Sequence, residues 1–121
     1  MTVRSLDEAR HFFVDSLGYE QVGEIPDYPA VFLSDGNTMI TLWQAEDPTK
    51  AVIFDRKSVI GLHHLALSVD GDEALDALYE SLRDDDRVTM EFAPEELLGG
   101  PTRHMICNIP GGGIRVEFIA A

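Results

Sequence analysis

The spacing of apolar residues predicts two amphipathic helices, one in each half of the chain. Their apolar stripes consist of Ala9, Phe13 and Leu17 in the first half and of Leu75, Leu78 and Leu82 in the second. Ser5 and Glu8 have the spacing of a capping box at the start of the first helix, and Asp70 and Glu73 have it at the start of the second. Gly18 supplies a left-handed end to the first helix.

Short apolar runs around glycine turns predict four strands in each half. They cover residues 1–4, 21–25, 30–34 and 38–43, and then 65–69, 88–92, 105–109 and 114–119. The order βαβββ therefore occurs twice, which predicts one α+β domain over 1–121. We expect module one at about 1–50, a linker at about 45–60 and module two at about 61–121. The modules should form a curved, cleft-bearing mixed sheet with the helices outside.

Strand alternation predicts which side chains face the concave side of this sheet. They are His64, Ala66, Ser68, His104, Asn108, Arg115 and Glu117 from the second half, and Tyr28, Ala30, Phe32, Met39, Thr41 and Trp43 from the first. His64 and Glu117 are half of a His/carboxylate site for a divalent metal, which needs at least three protein ligands. The alternative is that Glu117 pairs with Arg115 or Arg103 and that His64 has no chemical role.

Composition excludes several classes of function. The 121 residues contain 22 acidic and 9 basic side chains, a net charge of −13, so we expect neither nucleic acid nor an anionic membrane as a partner. The single Cys107 excludes an intrachain disulfide and a cysteine-based zinc site. No apolar run approaches the about 18 residues of a membrane span, and we expect a soluble cytoplasmic protein.

Four stretches, taken together, resemble the vicinal oxygen chelate superfamily, which includes glyoxalase I, extradiol dioxygenases and bleomycin resistance proteins. They are SLDEARHFFVDSLGY (5–19), DGNTMITLWQ (35–44), GLHHLALSV (61–69) and PGGGIRVEFI (110–119). The resemblance implies a lyase, isomerase or dioxygenase that acts on a small oxygen-bearing substrate with Ni, Mn, Zn or Fe. His64 and Glu117 match the family's ligand positions in the second module, and Glu117 is the candidate catalytic carboxylate.

The first module departs from that pattern at both ligand positions. Its first-strand position falls before Met1, so a native start upstream of Met1 stays open, and its last-strand position is Thr41. The metal site is therefore expected to be incomplete, with a third ligand from His104, a neighbouring subunit or water.

The alternative function is metal-free binding of a small aromatic or cationic molecule, as in the bleomycin resistance proteins. Its candidate ligand-binding residues are Tyr28, Trp43, His104 and Arg115, and a homodimer is expected in either case. The stretch 91–101 is either a mobile lid or an ordinary connection.

Overall fold

The computed structural model describes residues 1–121. It contains two four-stranded mixed sheets, each with a helix on one face. The elements of the first half are β1 (Thr2–Val3), α1 (Leu6–His11), a π-helical turn (Phe12–Ser16), β2 (Glu20–Ile25), β3 (Ala30–Ser34) and β4 (Met39–Gln44). Those of the second half are β5 (Leu65–Val69), α2 (Gly71–Arg83), β6 (Thr89–Glu96), a 3₁₀ turn (Leu97–Gly99), β7 (Arg103–Asn108) and β8 (Arg115–Ala120). The predicted α+β fold with two βαβββ modules is confirmed.

Both sheets have the same topology. The strand orders are β1-β4-β3-β2 and β5-β8-β7-β6. In each sheet the first strand of the module runs parallel to the last, and the remaining neighbours are antiparallel. The last strand of each module therefore lies inside its sheet, β4 between β1 and β3 and β8 between β5 and β7.

The chain divides into two compact units. The first unit comprises Met1–Phe54 together with Pro110–Gly113, and the second comprises Asp55–Ile109 together with Ile114–Ala121. The short turn 110–113 joins β7 to β8 but makes its contacts in the first unit. There the Gly111 carbonyl accepts hydrogen bonds from the amides of Arg4 (2.7 Å) and Ser5 (3.1 Å).

In the first unit, α1 packs on β3 and β4. The Ser5 hydroxyl accepts from the amide of Glu8, as predicted. The widened turn buries the consecutive residues Phe12 and Phe13, whose rings meet edge to face at 5.6 Å. Leu17, the last residue of the predicted apolar stripe, is half-buried, and Phe12, which lay outside that stripe, is fully buried.

In the second unit, α2 packs on the sheet over a fully buried core. That core contains Leu75, Leu82, Met105, Cys107, Val116 and Phe118. Leu65, Leu67 and Val69 are half-buried whereas Ala66 and Ser68 are exposed, so β5 alternates as predicted. The predicted capping box of α2 was wrong, since the Asp70 side chain makes no capping hydrogen bond.

Strand β6 is longer than predicted. It continues through Pro94 to Glu96, and its register with β7 shifts twice, between Met90 and Phe92 and between Phe92 and Glu95. A proline is tolerated there because β6 is the edge strand of the sheet. The first part of the 91–101 stretch is therefore strand. No helix in the chain has both the length and the apolar character needed to cross a membrane.

Candidate functional site

The register of the second sheet brings Glu117 and two histidines onto one face. Glu117 lies on β8 and pairs with Ala66 of β5 on one side and with Ile106 of β7 on the other. His64 and His104 each precede those partners by two residues, so their side chains point to the same side as Glu117. The sequence placed all three on one face but could not give the strand offsets that make them neighbours.

Glu117 is held between the two imidazole rings. His104 Nδ1 lies 2.7 Å from Oε1 and His64 Nε2 lies 3.1 Å from Oε2. Glu117 is 7% exposed, whereas 33% of the His64 side chain remains open to solvent. Each carboxylate oxygen thus has an imidazole partner, and His64 is the most accessible member of the three.

His104 is enclosed from its other side. Its ring lies 5.0 Å from the ring of Phe92, and its Nε2 is 4.0 Å from a carboxylate oxygen of Glu95. Only 12% of the His104 side chain is exposed. The ring is therefore fixed by Phe92 and Glu117 and has little freedom to turn toward another partner.

Arg115 is buried and paired with Glu91. Its Nε and Nη2 each donate to one oxygen of Glu91, both at 2.8 Å. Arg115 lowers the pKa of Glu91, mainly through these hydrogen bonds, and Glu91 raises the pKa of Arg115 in return. Glu91 also accepts from Arg56 and Asn108 at 3.3 Å. The alternative interpretation, in which Glu117 pairs with Arg115 or Arg103, was wrong.

Arg103 binds Asp76 on α2 instead, with contacts of 3.0 and 3.2 Å. Glu91 was missed as a partner for Arg115 because it occupies the first bulge of β6, between Met90 and Phe92. A bulge redirects a side chain and breaks the simple alternation of a strand. No spacing in the sequence signals that change.

His63 was also missed, although its position beside His64 was a signal. Arg115 Nη1 donates to the His63 carbonyl at 3.1 Å and lies 3.1 Å from His63 Nδ1. His63 Nδ1 is in turn 2.8 Å from His64 Nδ1. The polar contacts on this face therefore continue from Glu91 through Arg115, His63 and His64 to Glu117 and His104.

Cys107 takes no part in this cluster. Its side chain is fully buried, and burial raises the pKa of the thiol to about 12, with a smaller contribution from the charge of Glu91. A thiol of that kind stays protonated near neutral pH and is a poor nucleophile.

The predicted aromatic residues form a cluster within the first unit. The rings of Tyr28 and Trp43 meet edge to face at 4.4 Å, and Phe32 lies 6.4 Å from Trp43. Tyr28 is 63% exposed, whereas Phe32 and Trp43 are half-buried. The predicted ligand set thus has Tyr28 and Trp43 in the first unit and His104 and Arg115 in the second.

A recess of about 380 Å³ in the first unit lies beside α1 and the β2–β3 turn. Its lining includes Asp7, Arg10, Glu24, Pro29 and Gln44. Tyr28 and Trp43 are not among its lining residues, so this recess is separate from the aromatic cluster.

The donor atoms do not fit a complete metal centre. No group of three or more His, Cys, Asp and Glu side chains in the chain could hold a metal ion. The matching position of the first unit is Thr41, which pairs with Phe32 and has no carboxylate. His64 and Glu117 supply at most a pair of ligands.

Comparisons with known proteins agree with the fold. The family model described as Glyoxalase/Bleomycin resistance protein/Dioxygenase superfamily matches residues 1–118. A glyoxylase/bleomycin resistance protein/dioxygenase domain from Frankia sp. EAN1pec is 23% identical with a TM-score of 0.81, covering 99% of this chain and 91% of that one. No curated protein gives a significant match.

Two further solved structures are similar over nearly the whole chain. A protein from Bacillus halodurans is 27% identical with a TM-score of 0.80, covering 100% of this chain and 91% of that one. A lactoylglutathione lyase from Agrobacterium tumefaciens is 23% identical with a TM-score of 0.66, covering 98% and 87%. Below 25% identity such a likeness concerns the fold rather than the reaction.

Proposed function

Because the chain belongs to the Glyoxalase/Bleomycin resistance protein/Dioxygenase superfamily, we propose that it is a small-molecule-binding member that works without a metal centre of its own. The observation that carries this proposal is the closed contact of Glu117 with His64 and His104. The carboxylate that would anchor a metal already has a partner on each oxygen. No group of three or more histidine, cysteine, aspartate and glutamate side chains in the chain is arranged to hold a metal ion.

The chemical class of the ligand follows from the aromatic cluster and the charge. The faces of aromatic rings attract cations, and Trp is the strongest of the three ring types. Tyr28 exposes most of its surface beside Trp43, in a chain with a net charge of −13. A flat cationic molecule is therefore the ligand best suited to Tyr28 and Trp43.

Metal content tests the first part of the proposal. Purified protein is incubated with Ni²⁺, Mn²⁺, Zn²⁺ or Fe²⁺, desalted and analysed for bound metal, alongside His64→Ala, Glu117→Gln and the control His11→Ala. His11 is an exposed histidine paired with Asp15 on the first helix. We expect less than one equivalent of any metal in all four proteins.

Fluorescence of the single Trp43 tests the second part. The probe is 1-methylquinolinium, and neutral quinoline is the matched control for ring stacking without charge. Loss of a cation–ring contact worth about 0.5–2 kcal/mol should weaken binding of the cation about 2- to 30-fold in Tyr28→Ala. Tyr79→Ala, which removes a tyrosine from α2, should leave it unchanged. Equal affinity for quinoline and its cation would contradict the proposed ligand class.

A metal-dependent lyase, isomerase or dioxygenase is the second candidate, and one distance favours it. Two ligands bound at right angles about 2.1 Å from one metal lie about 3 Å apart, and His64 Nε2 is 3.1 Å from Glu117 Oε2. The third ligand would come from His104, a neighbouring subunit or water. If the wild type and His11→Ala bind one equivalent of metal and His64→Ala and Glu117→Gln do not, the metal-dependent function is supported and the metal-free one is refuted.

We also propose a homodimer, since two-fold symmetric dimers are by far the commonest assemblies among soluble oligomeric proteins. Sedimentation velocity at several concentrations measures the mass directly. A single species near the monomer mass of 13.4 kDa at all concentrations would refute it.

A further inference from the structure

The first sheet has one buried face and one open face. Helix α1 packs on β3 and β4, and the register of these strands puts four buried residues on one face: Val31, Leu33, Ile40 and Leu42. The residues that alternate with them point to the other side of the sheet, which we call the open face. By the register of β2, β3 and β4, its large side chains and the residue between them on β4 are Ile25, Phe32, Met39, Trp43 and Thr41.

The open face is accessible and nearly free of charge. Met39 is 62% exposed and Ile25 is 40% exposed, whereas Phe32 and Trp43 are half-buried. The single charged residue that the register places on this face is Glu20, at the far end of the edge strand β2. Charged residues make up 26% of the chain, so an apolar sheet face of this kind is a candidate binding surface.

Gly23 keeps the middle of the open face low. It lies opposite Phe32, and a Cβ at Gly23 would be 3.1 Å from Cδ2 of Phe32. The Phe32 ring therefore leans over β2 and away from β4. Along β4 the surface between Trp43 and Met39 carries only the small side chain of Thr41.

Trp43 and Met39 mark the two ends of this surface. They are four residues apart on β4, which corresponds to about 13 Å in a strand. At the first end Tyr28 lies against Trp43, with ring centroids 4.4 Å apart. At the other end Met39 offers an unbranched, flexible thioether that adapts to apolar groups of different shape.

We propose that the open face binds an apolar tail, so that the ligand is an amphiphilic cation with its flat ring at Tyr28 and Trp43 and its alkyl chain along β4 to Met39. This inference rests on the proposed binding of a flat cation and adds the class of its substituent and a residue that selects it. Each CH₂ group that is fully removed from water strengthens binding about fourfold. A chain that is covered on one side by the sheet gains part of that factor for each carbon.

Two cations that differ only in the alkyl chain test the proposal. Fluorescence of Trp43 in the full chain is titrated with 1-methylquinolinium and with 1-octylquinolinium, the latter below the concentration at which it forms micelles. We expect the wild type to bind the octyl compound about 10- to 100-fold more tightly than the methyl compound.

Met39→Gln is the test variant, because glutamine has a similar length and no charge but a polar end. The ratio of the two affinities should fall about threefold or more, through weaker binding of the octyl compound. The matched control Val52→Gln makes a comparable change at a residue that is 81% exposed and lies outside the strands, and it should keep the ratio of the wild type.

The two compounds distinguish failure of this inference from failure of the proposed ligand class. Equal affinity of the wild type for both, or an unchanged ratio in Met39→Gln, would overturn the tail-binding face and leave the cation site intact. Binding of the octyl compound alone, weakened in Met39→Gln, would support the open face and refute the cation site. Binding of neither compound would refute both.

Sedimentation velocity tests the other occupant of an apolar sheet face, which is a second copy of the chain. The wild type and Met39→Gln are compared at the same concentrations. We expect the same mass for both. A wild-type dimer that dissociates in Met39→Gln would show that the open face is a subunit interface and would overturn the proposal.

Discussion

Replacing Gly111 by alanine tests how tightly the turn 110–113 is held in the first unit. Gly111 has φ +100°, which favours glycine, and a Cβ there would lie 2.8 Å from the Ser5 carbonyl oxygen and 2.9 Å from the Ala9 Cβ. The backbone strain costs about 1–2 kcal/mol. Overpacking against two fixed groups adds about 1–3 kcal/mol. We expect Gly111→Ala to lower the free energy of unfolding by about 2–5 kcal/mol in total.

Gly36→Ala is the matched control, because it separates backbone strain from crowding. Gly36 has nearly the same φ of +97°, but a Cβ there would meet nothing within 4 Å. Only the strain of about 1–2 kcal/mol applies to it. Urea unfolding followed by circular dichroism measures the free energy of unfolding of both variants. Gly111→Ala should have the lower midpoint, with an unchanged dependence of that free energy on urea concentration. Equal losses in the two variants would refute the close packing of Gly111 against Ser5 and Ala9.

Three further predictions concern single side chains. Cys107 should react with a thiol reagent at pH 8 about 100-fold or more slowly in the folded protein than in urea, and rapid labelling of the folded protein would contradict its burial. Glu91→Gln should cost about 1.5–3 kcal/mol at pH 7 because it removes hydrogen bonds to the Arg115 guanidinium. Arg115 lowers the pKa of Glu91, so this stabilisation is fully present above the unfolded pKa of about 4.3 and is lost as the pH falls through the lower pKa of the folded state. The free energies of unfolding of wild type and variant should therefore converge as the pH is lowered. Ser5→Ala should cost about 1 kcal/mol and Asp70→Ala less than about 0.5 kcal/mol, because only Ser5 caps a helix; equal losses in urea unfolding would contradict this.

Periodicity was sufficient to predict the order of elements. Strands β3 and β5 have the predicted bounds, 30–34 and 65–69. In β5 the half-buried residues Leu65, Leu67 and Val69 alternate with the exposed Ala66 and Ser68. The first helix was harder to predict from a four-residue period. Its chain widens into a π-helical turn at Phe12, and two adjacent phenylalanines are buried together.

For the candidate site, the sequence predicted which side chains share one face of the sheet but not which of them are in contact. Alternation placed His64, His104 and Glu117 on one side of the second sheet, but their contacts depend on the pairing of β5 and β7 with β8. Glu91 could not be found in this way, since a bulge in β6 turns it toward Arg115. Sequence patterns carry the period of a strand, whereas register and bulges arise from the packing of the whole sheet.

The path of the chain between β7 and β8 means that neither unit is a continuous piece of sequence. The chain leaves the second unit after Ile109, the four residues Pro110–Gly113 belong to the first unit, and the second unit resumes at Ile114. A fragment that ends at Phe54 would lack the Gly111 carbonyl to which the amides of Arg4 and Ser5 donate. Were the two modules separate chains, these two amides would be paired only if the second chain supplied the turn. In the single chain the same contact is intramolecular and has a much higher effective concentration.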